Sequence, residues 1–210
     1  IVNAAGSLPG DLHKLWRARD PKQYHLDYGY SCMGYEIAAG LGVKMAAPDR
    51  EVYVLVGDGS YLMMAQEIVT SIQERVRLTI LILDNHGFAS IGGLSKSVGC
   101  SGFATEYRCR DAETGLLAGD VLPVDFVANA ESLGARAIRA CTPEAIREAL
   151  EMARHSDRTT AIVIPVDREQ HVGGYESWWD VPVAEVSTID AVRTARTEYL
   201  RARAAERTYL

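Results

Sequence analysis

Several things are scarce in this sequence, and each scarcity excludes something. The four cysteines, at 32, 100, 109 and 141, include no CxxC pair, which sets aside zinc ribbons and thioredoxin-type redox chemistry. Scattered thiols in a chain of 210 residues fit a reducing, cytoplasmic setting better than a disulfide-held secreted scaffold. No run reaches the roughly 18 apolar residues that a membrane span needs. Positive charge is in deficit: the net charge is −6, so neither nucleic acid nor an anionic membrane is an expected partner. The locally basic stretch from Arg193 to Arg207 alternates with Glu198 and Glu206 and reads as a solvated helix face. No basic-then-apolar leader opens the chain. It starts at Ile1 and not at Met, which points to a processed chain or an excised domain.

What is present is a core. Hydrophobic residues make up 48% of the chain, ordinary for a globular protein, and β-like and helical patterns alternate. That alternation predicts an α/β fold: a mainly parallel sheet with helices on both faces. Strands are expected at 51–56, 78–84, 135–139 and 160–166, and helices at 33–46, 60–74, 125–133 and 143–154, with a final one over about 188–208. Thr142-Pro143 is an N-cap followed by proline at the first helical position. Glycines at 34, 40 and 42 interrupt a helical pattern and predict close packing or close approach to a ligand. In the 60–74 helix, Leu62, Ala65, Val69 and Ile72 fall on one face. Residues 85–123 are long, glycine-rich and irregular, which marks a functional or mobile loop.

One motif carries chemistry. The strand at 51–56 runs into Gly57-Asp58-Gly59-Ser60 and then into a helix. Glycines let backbone N–H groups approach an anion, and a following helix adds its positive end. The run is neither a dinucleotide fingerprint nor a Walker loop. Asp58 would repel a phosphate unless a cation bridged the two, so the economical reading is Mg²⁺ shared between Asp58 and a di- or triphosphate. A second oxygen ligand is then expected at the end of the adjacent strand. That strand ends in Asp84-Asn85-His86-Gly87-Phe88, and Asn85 follows Asp58 by 27 residues. Ser60 lacks the G-x-S-x-G elbow of a nucleophile and is expected to cap the helix or contact phosphate.

GDG followed at this interval by Asn-x-Gly resembles the metal–diphosphate motif of thiamine diphosphate enzymes. The resemblance implies that Asp58, Asn85 and the main-chain carbonyl of Gly87 hold Mg²⁺ against the diphosphate of the cofactor, with Gly57, Gly59, Ser60 and Phe88 alongside. Asp84-Asn85 stands where the family usually has Asn-Asn. Ser31-Cys32-Met33-Gly34-Tyr35 resembles the segment whose bulky apolar residue props the cofactor into its bent form. Met33 takes that role by resemblance, and the Ser31 carbonyl accepts from the aminopyrimidine. Ala5-Gly6-Ser7-Leu8 matches the stretch that meets the diphosphate from the other side, through Gly6 and Ser7.

Two stretches, 24–36 and 173–187 (GGYESWWDVPVAEVS), together with FATEYR at 103–108, look like the trihydroxycyclohexane-1,2-dione hydrolases of myo-inositol catabolism. That resemblance implies hydrolytic C–C cleavage of a cyclic diketone to 5-deoxyglucuronate, with thiamine as electron sink. It also implies a division of the chain into a diphosphate-binding domain over 1–187 and a helical tail over 188–210. The pyrimidine-binding and middle domains have no counterpart here. The glutamate that activates the aminopyrimidine would come from the pyrimidine-binding domain of a neighbouring subunit in a homodimer or homotetramer. Catalytic side chains are open. His13, His25 and His86 are acid/base candidates, each with a structural alternative, and His13 and His25 are expected in the loop before Met33. Trp178 and Trp179 could lid the site or dock another domain. Two other classes stay open: an acetolactate synthase-like or decarboxylase relative, and a non-catalytic binding or assembly fragment.

Overall fold

The computed structural model describes residues 1–27, 29–174 and 177–207. Tyr28, Tyr175 and Glu176, within two of the stretches above, lie outside the described residues, as does the tail end from 208 to 210. The chain divides into two compact units. The first holds residues 1–87 and 122–171, and the second holds 88–121 and 172–210.

Six strands of the first unit form a single sheet, and all its pairings are parallel. They are β1 (Val2–Asn3), β2 (His25–Leu26), β3 (Tyr53–Gly57), β4 (Thr79–Asp84), β5 (Arg136–Arg139) and β6 (Thr160–Pro165), in the spatial order β2-β1-β3-β4-β6-β5. The pair β3–β4 is in register from Tyr53 opposite Thr79 to Gly57 opposite Leu83. Central β4 and β6 bury Ile80, Ile82, Ala161, Ile162 and Val163, the near-continuous burial of strands covered on both faces. Order reverses at β1. The chain leaves it for β2 on one side and returns to β3 on the other, and such a switch opens a crevice at the carboxyl ends of the two strands.

The helices of this unit are α1 (Ser7–Leu15), α2 (Tyr35–Ala46), α3 (Asp58–Met64), α4 (Glu67–Gln73), α6 (Phe126–Ser132) and α7 (Pro143–Arg154); α5 belongs to the second unit. Thr142 does cap α7: its hydroxyl accepts from the Ala145 N–H at 3.1 Å, with Pro143 next. Asp125 caps α6 in the same way, accepting from Val127 and Ala128. Gly40 lets α2 lie on β3, because a Cβ there would collide with Val54. Gly42 faces open space, so its packing role does not hold.

The single helix expected over 60–74 is two helices, joined at Ala65–Gln66. Its buried face is also shifted by one residue. Tyr61 and Ile68 are fully buried, whereas Leu62 and Val69 are 46% and 47% exposed. Both registers are apolar in the sequence, and packing chose the one that lets Tyr61 meet Phe126 edge-on at 5.8 Å and donate to Asn129 Oδ1 at 2.8 Å.

The second unit shows that 85–123 is not irregular throughout. It contains α5 (Ala89–Ser97) and a bridge between Arg108 and Val121. The final helix, α8 (Asp190–Ala204), is a salt-bridged face: Arg193 pairs with Asp190, Arg196 with Glu185, and Arg203 with Asp180 and Glu206. Gly99, at φ +84°, allows the backbone of Ala191 to approach where a Cβ would be 2.6 Å away. Among the described residues, no helix is long and apolar enough to cross a membrane.

Candidate functional site

The carboxyl ends of β3 and β4 lie side by side in the first unit and bring the two predicted motifs together. Asp58 is fully buried at the start of α3. Its Oδ1 accepts from the Gly59 N–H at 3.0 Å, and its Oδ2 from the Gly87 N–H at 2.9 Å. The second bond joins the end of β3 to the end of β4 directly. It needs an unusual backbone: His86 sits at φ +59° and Gly87 at φ +149°, positions that L side chains rarely adopt. Burial, chiefly, pushes the Asp58 carboxyl up to about 6, and the charge of Asp84 adds to this against the Gly87 and Gly59 amides, which lower it.

Asn85 completes the pair. Its Oδ1 is buried and has no hydrogen-bond partner. Such an orphan acceptor costs about 1–3 kcal/mol, and a cation would satisfy it. Asp84 is 2% exposed and turns away into local structure. It accepts from the His86 N–H at 3.3 Å, pairs with His86 Nδ1 at 3.2 Å and lies 4.0 Å from Arg139. Among the described residues, no three His, Cys, Asp or Glu side chains gather as a metal cage. One carboxylate and one amide oxygen fit an ion that takes its remaining ligands from a phosphate.

The upstream segments reach the same end of the sheet. Gly34 is buried at φ +89°, just before α2, where a Cβ would meet Met64 Cγ at 2.6 Å. Met33 beside it is half-buried, and Ser31 is exposed at φ +51°. Gly6, at φ +92°, and half-buried Ser7 make the turn from β1 into α1. Ser60 does not cap its helix. Its hydroxyl instead bonds Glu36, a residue that sequence reading passed over, at 2.8 Å from both carboxylate oxygens. The available signal was an acid inside an apolar, small-residue helix.

Two histidines sit elsewhere than expected. His25 is in β2, not in a loop, with Nε2 3.2 Å from the Lys22 carbonyl. His13 is in α1, its ring 5.5 Å from that of Tyr24. Strand β1 separates β2 from β3. Phe88 belongs to the second unit, where its N–H donates to the Thr105 carbonyl at 2.9 Å and its ring meets Tyr107 edge-on. Trp178 and Trp179 are 47% and 64% exposed there.

Residues 4–164 match the family model described as thiamine pyrophosphate enzyme, C-terminal TPP binding domain. The chain belongs to this family. As a TPP-binding domain, it has 48% identity over 195 residues to the 3D-(3,5/4)-trihydroxycyclohexane-1,2-dione hydrolase 2 of Bacillus cereus. It is 47% identical to the corresponding hydrolase of Bacillus anthracis, and each match covers 93% of this chain. The chain spans 30% of the length of these curated relatives. Among solved structures it resembles the thiamine diphosphate-dependent 4-hydroxybenzoylformate decarboxylase of Rhodococcus jostii RHA1, with a TM-score of 0.65 and 26% identity over 79% of this chain and 29% of that one. Its parallel sheet is thus that of TPP-binding domains, and the cofactor it takes is thiamine diphosphate.

Proposed function

We propose that this chain is the diphosphate- and metal-holding part of a thiamine diphosphate-dependent hydrolase that opens trihydroxycyclohexane-1,2-dione. One observation carries the site: the unpartnered Asn85 Oδ1, one strand over from the buried Asp58 carboxylate. Asp58, Asn85 and the Gly87 carbonyl would hold Mg²⁺, with diphosphate oxygens as further ligands. Gly57 and Gly59 keep side chains away from the anion, and Gly6 and Ser7 face it from β1. Met33 would prop the cofactor, and the Ser31 carbonyl would accept from its aminopyrimidine. Bound thiamine diphosphate supplies the electron sink for C–C cleavage.

The hydrolase reading is favoured over the decarboxylase one by extent. The 47–48% identities cover 93% of this chain, against 26% over 79% for the decarboxylase. His13 and His25 remain the acid/base candidates of this reading, and His86 is paired with Asp84. The activating glutamate would come from the pyrimidine-binding domain of a neighbouring subunit, in a homodimer or homotetramer in the cytoplasm. Residues 1–187 would then be the diphosphate-binding domain and 188–210 a tail.

The test is calorimetry of thiamine diphosphate binding by the full-length protein, with and without Mg²⁺. Asp58→Ala should weaken Mg²⁺-dependent binding at least about a hundredfold, the loss of a charged ligand in a buried site. Unaltered binding would refute the assignment.

A further inference from the structure

Among the described residues, the buried carboxylates are Asp58, Asp84 and Glu36. The first two belong to the strand-end motifs. Glu36 belongs to neither, yet it is 1% exposed in the first turn of α2. Its partners are a hydroxyl and backbone amides. Oε1 and Oε2 each lie 2.8 Å from Ser60 Oγ, and Oε2 lies 3.0 Å from the Gly34 nitrogen. The Ala5 amide also favours its ionised form, while burial, the largest influence, pushes its carboxyl up. An apolar residue would fill this core position at lower cost than a carboxylate without a cation.

The hydrogen count is decisive for Ser60. Its single hydroxyl hydrogen points at the Glu36 carboxylate, and its lone pair takes the Gly34 N–H at 2.7 Å. A serine hydroxyl has no second hydrogen, so none remains for a phosphate oxygen. The three segments joined by Glu36 are the Ala5 loop after β1, the Gly34 turn before α2 and the Ser60 turn after β3. They carry Gly6 and Ser7, Met33, and Gly57 to Ser60. The Gly34 turn has no slack, since even a Cβ there would collide with Met64.

The geometry points to Glu36 as a positioning residue for the cofactor site. Its carboxylate clamps the Met33–Gly34 turn to the Gly57–Ser60 turn, and the Ser60 side chain serves this clamp and not a phosphate. This rests on the cofactor assignment of Met33 and Asp58 above.

The test uses full-length protein carrying Glu36→Gln, Ser60→Ala, both together, or Asp58→Ala. The Glu36→Gln change keeps the shape but leaves one acceptor oxygen for the Gly34, Ser60 and Ala5 donors that the carboxylate serves with two. In cofactor-free protein, amide hydrogen exchange of the peptide spanning 31–36 should quicken by about tenfold or more in Glu36→Gln and in Ser60→Ala, as for loss of a local restraint. At saturating thiamine diphosphate, kcat for ring opening should fall by about tenfold in each. The calorimetric Kd should move less than about threefold, and the double variant should be no worse than the poorer single one. The clamp is overturned if exchange is unchanged, if the two substitutions are additive, or if Ser60→Ala weakens Kd while kcat recovers at saturation. The last pattern is that of a direct phosphate ligand. If Glu36→Gln does not fold, exchange and the kcat–Kd split in Ser60→Ala decide alone. Asp58→Ala separates the two readings: it should weaken Mg²⁺-dependent binding at least about a hundredfold and leave exchange of 31–36 as in the wild type. Wild-type binding in that variant removes the site assignment, and the exchange data still judge the clamp.

Discussion

Asp58 and Asn85 each hold a polar group where burial makes it costly. A fully buried carboxylate is pushed up to about 6, and a buried amide oxygen goes unpaired. Such costs concentrate at functional sites. Asn85→Leu should therefore leave the cofactor-free protein as stable as wild type, or more so by about 1 kcal/mol, in denaturant unfolding, while Mg²⁺-dependent cofactor binding is lost. Destabilisation would mean that the amide is structurally satisfied. Tyr61 gives a pH prediction. Burial pushes its phenol up to about 12 from the ordinary 10.0. Between those values the unfolded chain has lost the proton that the folded chain keeps, so stability falls as pH rises. The loss should approach about 3 kcal/mol by pH 12. Tyr61→Phe should remove that part of the alkaline decline in pH-dependent unfolding. At this scale the motif residues were legible, because a strand–helix–strand unit sets the spacing between Asp58 and Asn85. Glu36 was not, because its partner Ser60 is 24 residues away in sequence and nothing local marks the contact.

Elements were legible where a local interaction decides them. The cap on α7 is local, and Thr142→Ala should cost about 1 kcal/mol by thermal or denaturant unfolding, with Thr142→Ser close to neutral. Gly34→Ala combines a positive φ with a Cβ 2.6 Å from Met64 Cγ. It should cost about 2–4 kcal/mol in unfolding free energy; near-wild-type stability would show that the turn can yield. The phase of the 60–74 region was misread for a tertiary reason. Leu62 and Val69 form as good a stripe as Tyr61 and Ile68, and only the Phe126–Asn129 surface of α6 selects the second. The 85–123 region hid α5 because its glycines weaken helical periodicity.

The whole molecule extends the same division. The chain spans 30% of its curated relatives, and under the proposed function the activating glutamate would lie on another domain. The 210-residue chain alone should therefore show no measurable ring opening of trihydroxycyclohexane-1,2-dione. Turnover by the isolated chain, followed as product release, would contradict that. The sequence by itself determined the parallel α/β class and the strand-end motifs, because alternation, glycine placement and the length of one crossover are local quantities, and its resemblance to a known family supplied the cofactor. Tertiary structure alone decided which face of α3 and α4 is buried, that the short strands β1 and β2 extend the sheet beyond β3, and that Glu36 bonds both the Gly34 turn and the Ser60 turn. Each of those depends on which distant segment arrives opposite, and local pattern does not encode that.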